Sequence, residues 1–304
     1  MLGCRGSISI PQTLLIMQRI SQLKNPTMIV GLDIGHASPG LREPSVVGLV
    51  YSIDQRGVKY SAFTALQEPR QESIVELRPM FKAALKDFVI HSGTLPRNVV
   101  VFRDGVSEGE YERVRKVEVK AIHDAMMDLL EEGALVNTQP RPNLTFIVVG
   151  KRHHALIFPK TDGVKDNRGN CKAGTVVSEG ITQPDVENFY LMSHAALIGT
   201  SRSSHYIVLL DEVFGSTKLI EELSYALCHI YARATRSVSI PAPVYYADLV
   251  CRRKSFHFQP GVEEDLRFND NASVASGSSY PPLDLKAWQE KFSKKAKLTA
   301  MNFL

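Results

Sequence analysis

Hydrophobic and polar positions vary along the first half of the chain in a way that predicts strands and helices in turn. Short apolar runs rich in β-branched and aromatic residues, bounded by turn residues, are typical of buried strands. Apolar residues that recur every three or four positions indicate the buried face of a helix. The two patterns predict strands at 28–33, 45–52, 58–66, 99–102 and 144–150, and helices at 74–90 and 110–132.

The order of these elements, β-β-β-α-β-α, predicts a mixed sheet with helices against its faces. Its first three strands are joined by short turns, which indicates an antiparallel meander. Pro79 interrupts the first helix, which therefore either begins or kinks there, and Gly93 ends it. In the second helix the residues predicted to point inward are Val114, Val117, Ala121, Ala125 and Leu129.

The second half of the chain has a looser pattern. A helix capped by Ser216 or Thr217 is expected to run to about Ala234, and a further helix follows Pro241 and Pro243. The inward residues predicted for the first of these helices are Leu219, Leu223, Ala226, Leu227 and Ile230. The remaining expected elements are strands at 175–177, 189–193 and 206–210, helices at 12–23 and from 283 to the terminus, and a mobile insertion near 269–282.

Composition narrows the class of protein only a little. The 304 residues are 44% hydrophobic and 22% charged, which is ordinary for a globular protein with one large domain, or one domain with appendages. A net charge of +4 permits nucleic-acid binding without arguing for it. The four cysteines form no C-x-x-C pair, so they predict neither a zinc site nor a disulfide framework, and no apolar run approaches the ~20 residues of a membrane span.

Two acidic residues follow predicted strands and are candidates for catalysis. Asp33 ends the strand at 28–33, and Asp104 follows the strand at 99–102. If these strands are neighbours, the two carboxylates meet at one edge of the sheet and raise each other's pKa unless a cation neutralises them. Such hard oxygen ligands favour Mg²⁺ or Mn²⁺, and two such ions about 4 Å apart can support phosphodiester cleavage. The spacing leaves open the alternative of two solvated strand-end acids.

Six stretches of the sequence together resemble the PIWI domain of eukaryotic Argonaute proteins. They are G-L-D-I-G-H-A-S-P-G (31–40), P-R-Q-E-S (69–73), R-D-G-V-S-E-G (103–109), V-V-G-K-R-H-H (148–154), S-H-A-A-L-I-G-T-S-R-S-S-H-Y (193–206) and R-S-V-S-I-P-A-P-V-Y-Y-A-D-L-V (236–250). These stretches occur in the family's order, and the resemblance covers residues 27–304. It implies a ribonuclease H-like α/β fold and a guide-directed RNA endonuclease that uses two Mg²⁺ or Mn²⁺ ions.

The resemblance also assigns roles to the acids. Asp33 and Asp104 match the family's two metal-binding aspartates, and Asp248 matches the position where cleaving members carry His or Asp. Glu72 matches a glutamate that completes the site from a loop, so the set of four is complete. The residues themselves allow other interpretations, because Glu72 could be an acid at a helix N-terminus and Asp248 could pair with Arg252 at i+4.

The resemblance further implies that Arg233, Ser239, Tyr245 and Arg253 contact phosphates of a guide strand. The alternative for each is surface charge or ordinary helix packing. The expected partners are a small guide RNA, its complementary target RNA and tryptophan-bearing silencing proteins. His36, His153, His154 and His205 lie inside the matching motifs and are expected to have core or hydrogen-bonding roles.

Longer members of the family carry N, PAZ and Mid domains ahead of PIWI, and these 304 residues leave no room for them. Residues 1–26 are expected to be a remnant of the segment connecting Mid to PIWI, and residues 27–304 the PIWI domain. The main hypothesis is Mg²⁺-dependent slicing of a paired target RNA in gene silencing. The alternative is a module that silences by occupancy or by recruiting partners. Either activity is expected in the cytoplasm or the nucleus.

Overall fold

An eight-stranded sheet forms the centre of the computed structural model. The structure describes residues 25–38, 43–54, 56–133, 140–160, 165–183, 185–264, 266, 283–292 and 301. The segment expected to connect to Mid (up to residue 24), the predicted helix at 12–23 and the predicted insertion at 269–282 lie outside these ranges.

The sheet is mixed, as the element order predicts. Its strands are β1 (Thr27–Gly35), β2 (Ser45–Ser52), β3 (Tyr60–Gln67), β4 (Asn98–Asp104), β5 (Asn143–Gly150), β6 (Thr175–Val177), β7 (Asn188–Met192) and β8 (Ser204–Asp211). They lie side by side in the order β3-β2-β1-β4-β5-β8-β7-β6. The central strands β1, β4 and β5 are parallel, and the other neighbouring pairs are antiparallel. The predicted meander of β1, β2 and β3 is therefore confirmed.

Helices cover both faces of the sheet. They are α1 (Leu77–Ser92), α2 (Tyr111–Val114), α3 (Lys120–Glu132), α4 (Thr217–Leu227), α5 (Ala242–Arg252) and α6 (Leu285–Lys291). Buried side chains of α1 and α3 pack with Val30 and Val101 on one face. Those of α4 pack with Ile29 and Val100 on the other face, and α5 shares that face against Val50. Within the part of the chain that the structure describes, no helix is long and apolar enough to cross a membrane.

The proline in the first helix marks its beginning and does not kink it. The helix α1 starts at Leu77, so Pro79 lies in its first turn, where a missing backbone N–H breaks no intrahelical hydrogen bond. Gly93 follows the last helical residue with a φ of 73°, and its N–H donates to the carbonyl of Val89 at 2.9 Å. This is the left-handed glycine stop that the sequence predicts.

The inward face predicted for the second helix is partly wrong, because a π-helical turn interrupts it at Arg115–Val119. A π turn inserts one extra residue per turn and therefore shifts the face that follows it. Val117, predicted to be inward, is 44% exposed, whereas Glu118 is fully buried. The buried residues beyond the π turn are Ile122, Ala125, Met126 and Leu130.

The helix α4 is shorter than predicted and presents a slightly different face. It ends at Leu227, not near Ala234, and its buried residues include Ile220 while Leu219 is 38% exposed. The carbonyl of Cys228 accepts a hydrogen bond of 2.8 Å from the backbone N–H of Val238. This contact folds the chain back after the helix and forms an irregular segment where continued helix was expected. The last predicted helix is described only at α6.

The helix α5 lies unusually close to the sheet because two glycines face it. A Cβ atom on Gly31 of β1 would lie 2.1 Å from the carbonyl oxygen of Pro243, and one on Gly48 of β2 would lie 2.7 Å from that of Ala247. Neither distance is compatible with a side chain. The two glycines therefore determine the distance between α5 and the sheet, and with it the position of the residues on α5.

Candidate active site

Asp33 and Asp104 lie side by side at one edge of the sheet. The strands β1 and β4 are parallel neighbours, and their register pairs Leu32 with Arg103, one residue before each aspartate. Because side chains alternate along a strand, Asp33 points to the same face as Ile29, and Asp104 to the same face as Val100. This is the face that α5 covers. The sequence-based expectation that the two strands are neighbours is confirmed.

The two carboxylates are incompletely neutralised by their surroundings. Burial, followed by the negative charge of Asp104, raises the pKa of Asp33 to about 6. Burial also raises the pKa of Asp104, against the opposing effects of a hydrogen bond from the Gly105 N–H at 2.7 Å and the positive charges of Lys151 and Arg103. A pair of half-buried acids with raised pKa values has unused capacity for a cation.

Asp248 approaches this pair from α5. Its negative charge contributes to raising the pKa of both Asp33 and Asp104, which places the three carboxylates in one electrostatic environment. Its Oδ1 atom also accepts a hydrogen bond of 3.0 Å from Nε of Arg252, whose side chain is largely exposed. The helical pairing considered as an alternative for Asp248 is therefore present, while the charge of the same carboxylate still acts on the aspartate pair.

Glu72 lies on the loop between β3 and α1. Its Oε1 atom is 3.5 Å from Nε2 of His36, and its backbone carbonyl accepts a hydrogen bond of 2.7 Å from Nη2 of Arg103. His36 is fixed in turn through Nδ1, which hydrogen-bonds Ser45 Oγ at 2.8 Å. Because α1 begins only at Leu77, Glu72 is not an acid of the first helical turn. The loop is held by residues that follow β1, begin β2 and end β4.

A buried ion pair supports both Glu72 and Asp104. Arg103 is 1% exposed, and its Nε atom donates to Oε2 of the fully buried Glu118 at 3.2 Å. The same guanidinium donates to the backbone carbonyls of Glu72 and Asp104, and Oε1 of Glu118 accepts the N–H of Ile74 at 3.1 Å. Sequence reasoning missed Glu118, because a glutamate is not expected in a helix core and its buried cation, Arg103, comes from a distant strand.

The donor set fits a hard divalent cation, although no closed ligand cage is present. Among the residues that the structure describes, no group of three or more His, Cys, Asp or Glu side chains lies close enough to hold a metal ion. Asp33 and Asp104 nevertheless offer adjacent carboxylate oxygens whose mutual repulsion a cation would relieve. The assignment of Asp33, Asp104 and Asp248 as metal ligands stays a prediction.

A second polar cluster lies beside the carboxylates. Tyr245 and Ser239 share a hydrogen bond of 2.6 Å between their hydroxyls, and Lys151 Nζ donates to the Tyr245 hydroxyl at 2.9 Å. The ring of Tyr231 lies 5.0 Å from that of Tyr245, and the charge of Arg233 acts on Tyr231. The structure therefore brings Ser239 and Tyr245 together with Lys151, whose charge opposes the rise in the pKa of Asp104. Arg233 is linked to these residues only through its charge effect on Tyr231.

Lys151 is a candidate RNA-binding residue that sequence reasoning left out, although it lies in the stretch V-V-G-K-R-H-H directly after β5. Its position at the carboxyl end of a central parallel strand was the available signal. Arg253 follows the last residue of α5, and its guanidinium lies 5.3 Å from the ring centre of Phe256.

Three histidines of the matching motifs, His36, His153 and His205, form hydrogen bonds. His205 is buried, stacks on Tyr190 at 4.2 Å between ring centres, and hydrogen-bonds the side chain of Asn188 at 3.0 Å. Burial, followed by the nearby His153, lowers the pKa of His205 to about 4. His153 itself hydrogen-bonds the carbonyl of Ser203 at 2.8 Å. These contacts give His153 and His205 the core and hydrogen-bonding roles expected for them.

We expect His205 to make the fold sensitive to mild acid. In the unfolded chain His205 titrates near its ordinary pKa of about 6.5, so it takes up a proton there before it does so in the folded protein. Stability should fall as the pH decreases from about 6.5 towards 4, by about 2 kcal/mol near pH 5. Urea unfolding at several pH values should show a shallower dependence for His205→Gln than for wild type. The exposed His154→Gln is the control, and equal slopes for wild type and His205→Gln would contradict the expectation.

Comparison with known proteins assigns the family. The Piwi domain family model matches residues 8–259, which is most of the chain. The chain therefore belongs to the Piwi domain family. Its mixed sheet flanked by helices is the ribonuclease H-like fold of Argonaute PIWI domains.

Individual relatives agree with this assignment. The Caenorhabditis elegans protein tag-76 is 40% identical over 257 residues, which are 83% of this chain and 24% of that protein. The C-terminal lobe of a budding yeast Argonaute is 31% identical with a TM-score of 0.73, covering 92% of this chain and 56% of the solved one. Kluyveromyces polysporus Argonaute, solved with a guide RNA, has the same identity and TM-score and covers 95% of this chain and 34% of its own. The chain thus spans about a quarter to a half of the length of these relatives.

Proposed function

We propose that this chain binds a target RNA paired to a small guide RNA and cleaves the target strand in RNA-mediated gene silencing. The observation that carries the proposal is the juxtaposition of two half-buried, mutually repelling aspartates, Asp33 and Asp104, at the ends of neighbouring parallel strands. Asp248 and Glu72 add carboxylates from α5 and from a loop. Membership of the Piwi domain family supports RNA as the ligand.

Different residues of the chain would have different roles in cleavage. Asp33, Asp104 and Asp248 would hold Mg²⁺ or Mn²⁺, because carboxylate oxygens are the ligands these ions prefer. When bound, such ions lower the pKa of water and stabilise the leaving oxygen of a phosphodiester. The buried Arg103 fixes the backbone of Glu72 and of Asp104 and so keeps both carboxylates at the same edge of the sheet.

The second polar cluster would hold the guide strand. Lys151, Tyr245 and Ser239 already share hydrogen bonds and present one cation and two hydroxyls, which suit phosphate oxygens. Arg233 adds charge to this cluster, and Arg253 would bind a phosphate at the end of α5. Contacts to the backbone position an A-form duplex without reading its bases, so base pairing would supply the specificity.

The proposal is tested by offering the chain an RNA duplex in which the guide strand carries a 5′-phosphate. In Mg²⁺ we expect the target strand to be cut into one product with a 5′-phosphate and one with a 3′-hydroxyl. Chelation of Mg²⁺ by EDTA should abolish cleavage while duplex binding, measured by filter retention, persists. Binding without cleavage in Mg²⁺ would contradict the endonuclease and favour silencing by occupancy. Absence of binding would contradict both functions.

A further inference from the structure

Arg70 has a backbone conformation that an arginine rarely adopts. Its φ is 59°, and among the residues the structure describes only Arg70 and Met301 combine a side chain with a positive φ. Arg70 is the third residue of a tight turn, in which the N–H of Gln71 donates to the carbonyl of Glu68 at 3.4 Å and Pro69 is second. This is the pattern of a type II turn, whose third position favours glycine or asparagine. An arginine at this position therefore lowers the stability of the fold relative to a glycine.

The turn is fixed by side chains from both of its flanks. The N–H of Arg70 donates to Oγ of Ser45 at 3.0 Å, and this hydroxyl also hydrogen-bonds His36, the neighbour of Glu72. On the other side, Nε2 of Gln67 donates to the carbonyl of Gln71 at 2.7 Å. The backbone of Arg70 is thus part of the same network that places Glu72, two residues further along the chain.

The turn lies at the edge of the sheet where the carboxylates meet. The strand β3 ends at Gln67, which pairs with Ser45 at the start of β2, and β2 runs antiparallel to the strand that carries Asp33. The side chain of Arg70 is exposed there. Two other arginines at this edge are committed to acids: Arg103 pairs with Glu118, and Arg252 pairs with Asp248.

The guanidinium of Arg70 makes no hydrogen bond or ion pair with any residue in the described ranges, although Glu68 begins the turn and Glu72 directly follows it. An RNA phosphate that approaches four carboxylates at this edge meets net repulsion, which a cation beside the acids would offset. A guanidinium suits this task, because its planar fork can bind two phosphate oxygens at once. The fixed backbone also reduces the conformational freedom that is lost on binding.

We propose that Arg70 binds a phosphate of the RNA strand to be cut, next to the carboxylates. The proposal rests on the proposed function, because it takes RNA as the ligand of this edge. It explains why the third position of the turn carries a long cationic side chain in place of glycine: the side chain serves substrate binding and the fold does not require it.

The substitution Arg70→Gly separates these roles, because glycine suits the third position of a type II turn. In a cleavage-deficient Asp104→Asn background, we expect affinity for the fully paired RNA duplex to fall about tenfold. The slope of log affinity against log salt concentration should decrease by about 1, as expected for one lost phosphate contact. The thermal midpoint of the free protein should stay equal or rise. Arg70→Lys should keep the salt slope while binding more weakly.

The matched control is Arg56→Gly. Arg56 is an exposed arginine in the turn between β2 and β3, at the opposite edge of the sheet. Equal salt slopes for wild type and Arg70→Gly, or equal changes in Arg70→Gly and Arg56→Gly, would overturn the proposal. So would a lower thermal midpoint of Arg70→Gly with a parallel loss of binding, since Arg70 would then hold the turn. Failure of the endonuclease proposal shows differently, as a wild type that binds the duplex without cutting it.

Discussion

Asp104→Asn is expected to lower target cleavage by several orders of magnitude while binding of the guide–target duplex survives. Asparagine keeps the size of the side chain and an oxygen that can accept the Gly105 N–H, but it removes one of two adjacent negative charges. A hard divalent cation depends on that charge for its affinity. Single-turnover cleavage and duplex affinity, measured on the same preparation, test the prediction.

The same substitution should leave the protein at least as stable as wild type at neutral pH. The negative charge of Asp104 is the second largest cause of the raised pKa of Asp33, so its removal relieves repulsion between the two half-buried carboxylates. The control is Asp54→Asn, because Asp54 accepts backbone N–H groups through Oδ1 in the turn after β2, at the opposite edge of the sheet. Equal losses of stability, binding and cleavage in Asp104→Asn would instead show that Asp104 maintains the fold.

Arg103→Met is expected to be the most damaging single substitution to the fold. It removes the cation from Glu118, whose side chain is fully buried and would be left with an uncompensated charge. Loss of one partner of a buried ion pair typically costs about 3–5 kcal/mol. Denaturant unfolding should show this loss, whereas Lys116→Met, which breaks the exposed pair with Glu112, should change stability very little.

The double substitution Arg103→Met with Glu118→Leu separates stability from positioning. Removing both charges leaves no unpaired buried charge, so much of the free energy of unfolding that Arg103→Met loses should be recovered. Cleavage should stay low, because the guanidinium contacts to the backbone carbonyls of Glu72 and Asp104 are still missing. A double variant that cleaves as fast as wild type would show that Arg103 balances charge and does not position the site.

Local patterns were sufficient for the part of the fold that holds the aspartate pair. The apolar runs that form β1 and β4 are uninterrupted, and an acid follows each run directly or after Arg103, so the two strands could be read from the sequence to within about two residues of their ends. Two turns are also specified by their own residues. Gly93 can adopt a positive φ because it lacks a side chain, and the side chain of Asp54 accepts a backbone hydrogen bond in the turn between β2 and β3. Adjacency of β1 and β4 was the one long-range step, and the element order favoured it.

The parts of the site that the sequence did not predict depend on contacts between residues that are far apart in the chain. A glutamate at position 118 is expected to be solvated, and only a buried arginine on β4 makes its inward position favourable. Lys151 joins the site because β5 lies next to β4 and its end meets Tyr245 of α5. The position of Asp248 likewise depends on the docking of α5, which no local pattern specifies.

The close docking of α5 makes the separation between Asp248 and the aspartate pair independent of their charges. Because Gly31 and Gly48 have no side chain between sheet and helix, adding a single methyl group at either position would push α5 outward and carry Asp248 with it. Every ionisable group would remain in place while the spacing among them widened. The arrangement of acids at this edge of the sheet can therefore be altered by a change that affects no charge and no hydrogen-bonding side chain, at a position that is itself buried beneath a helix.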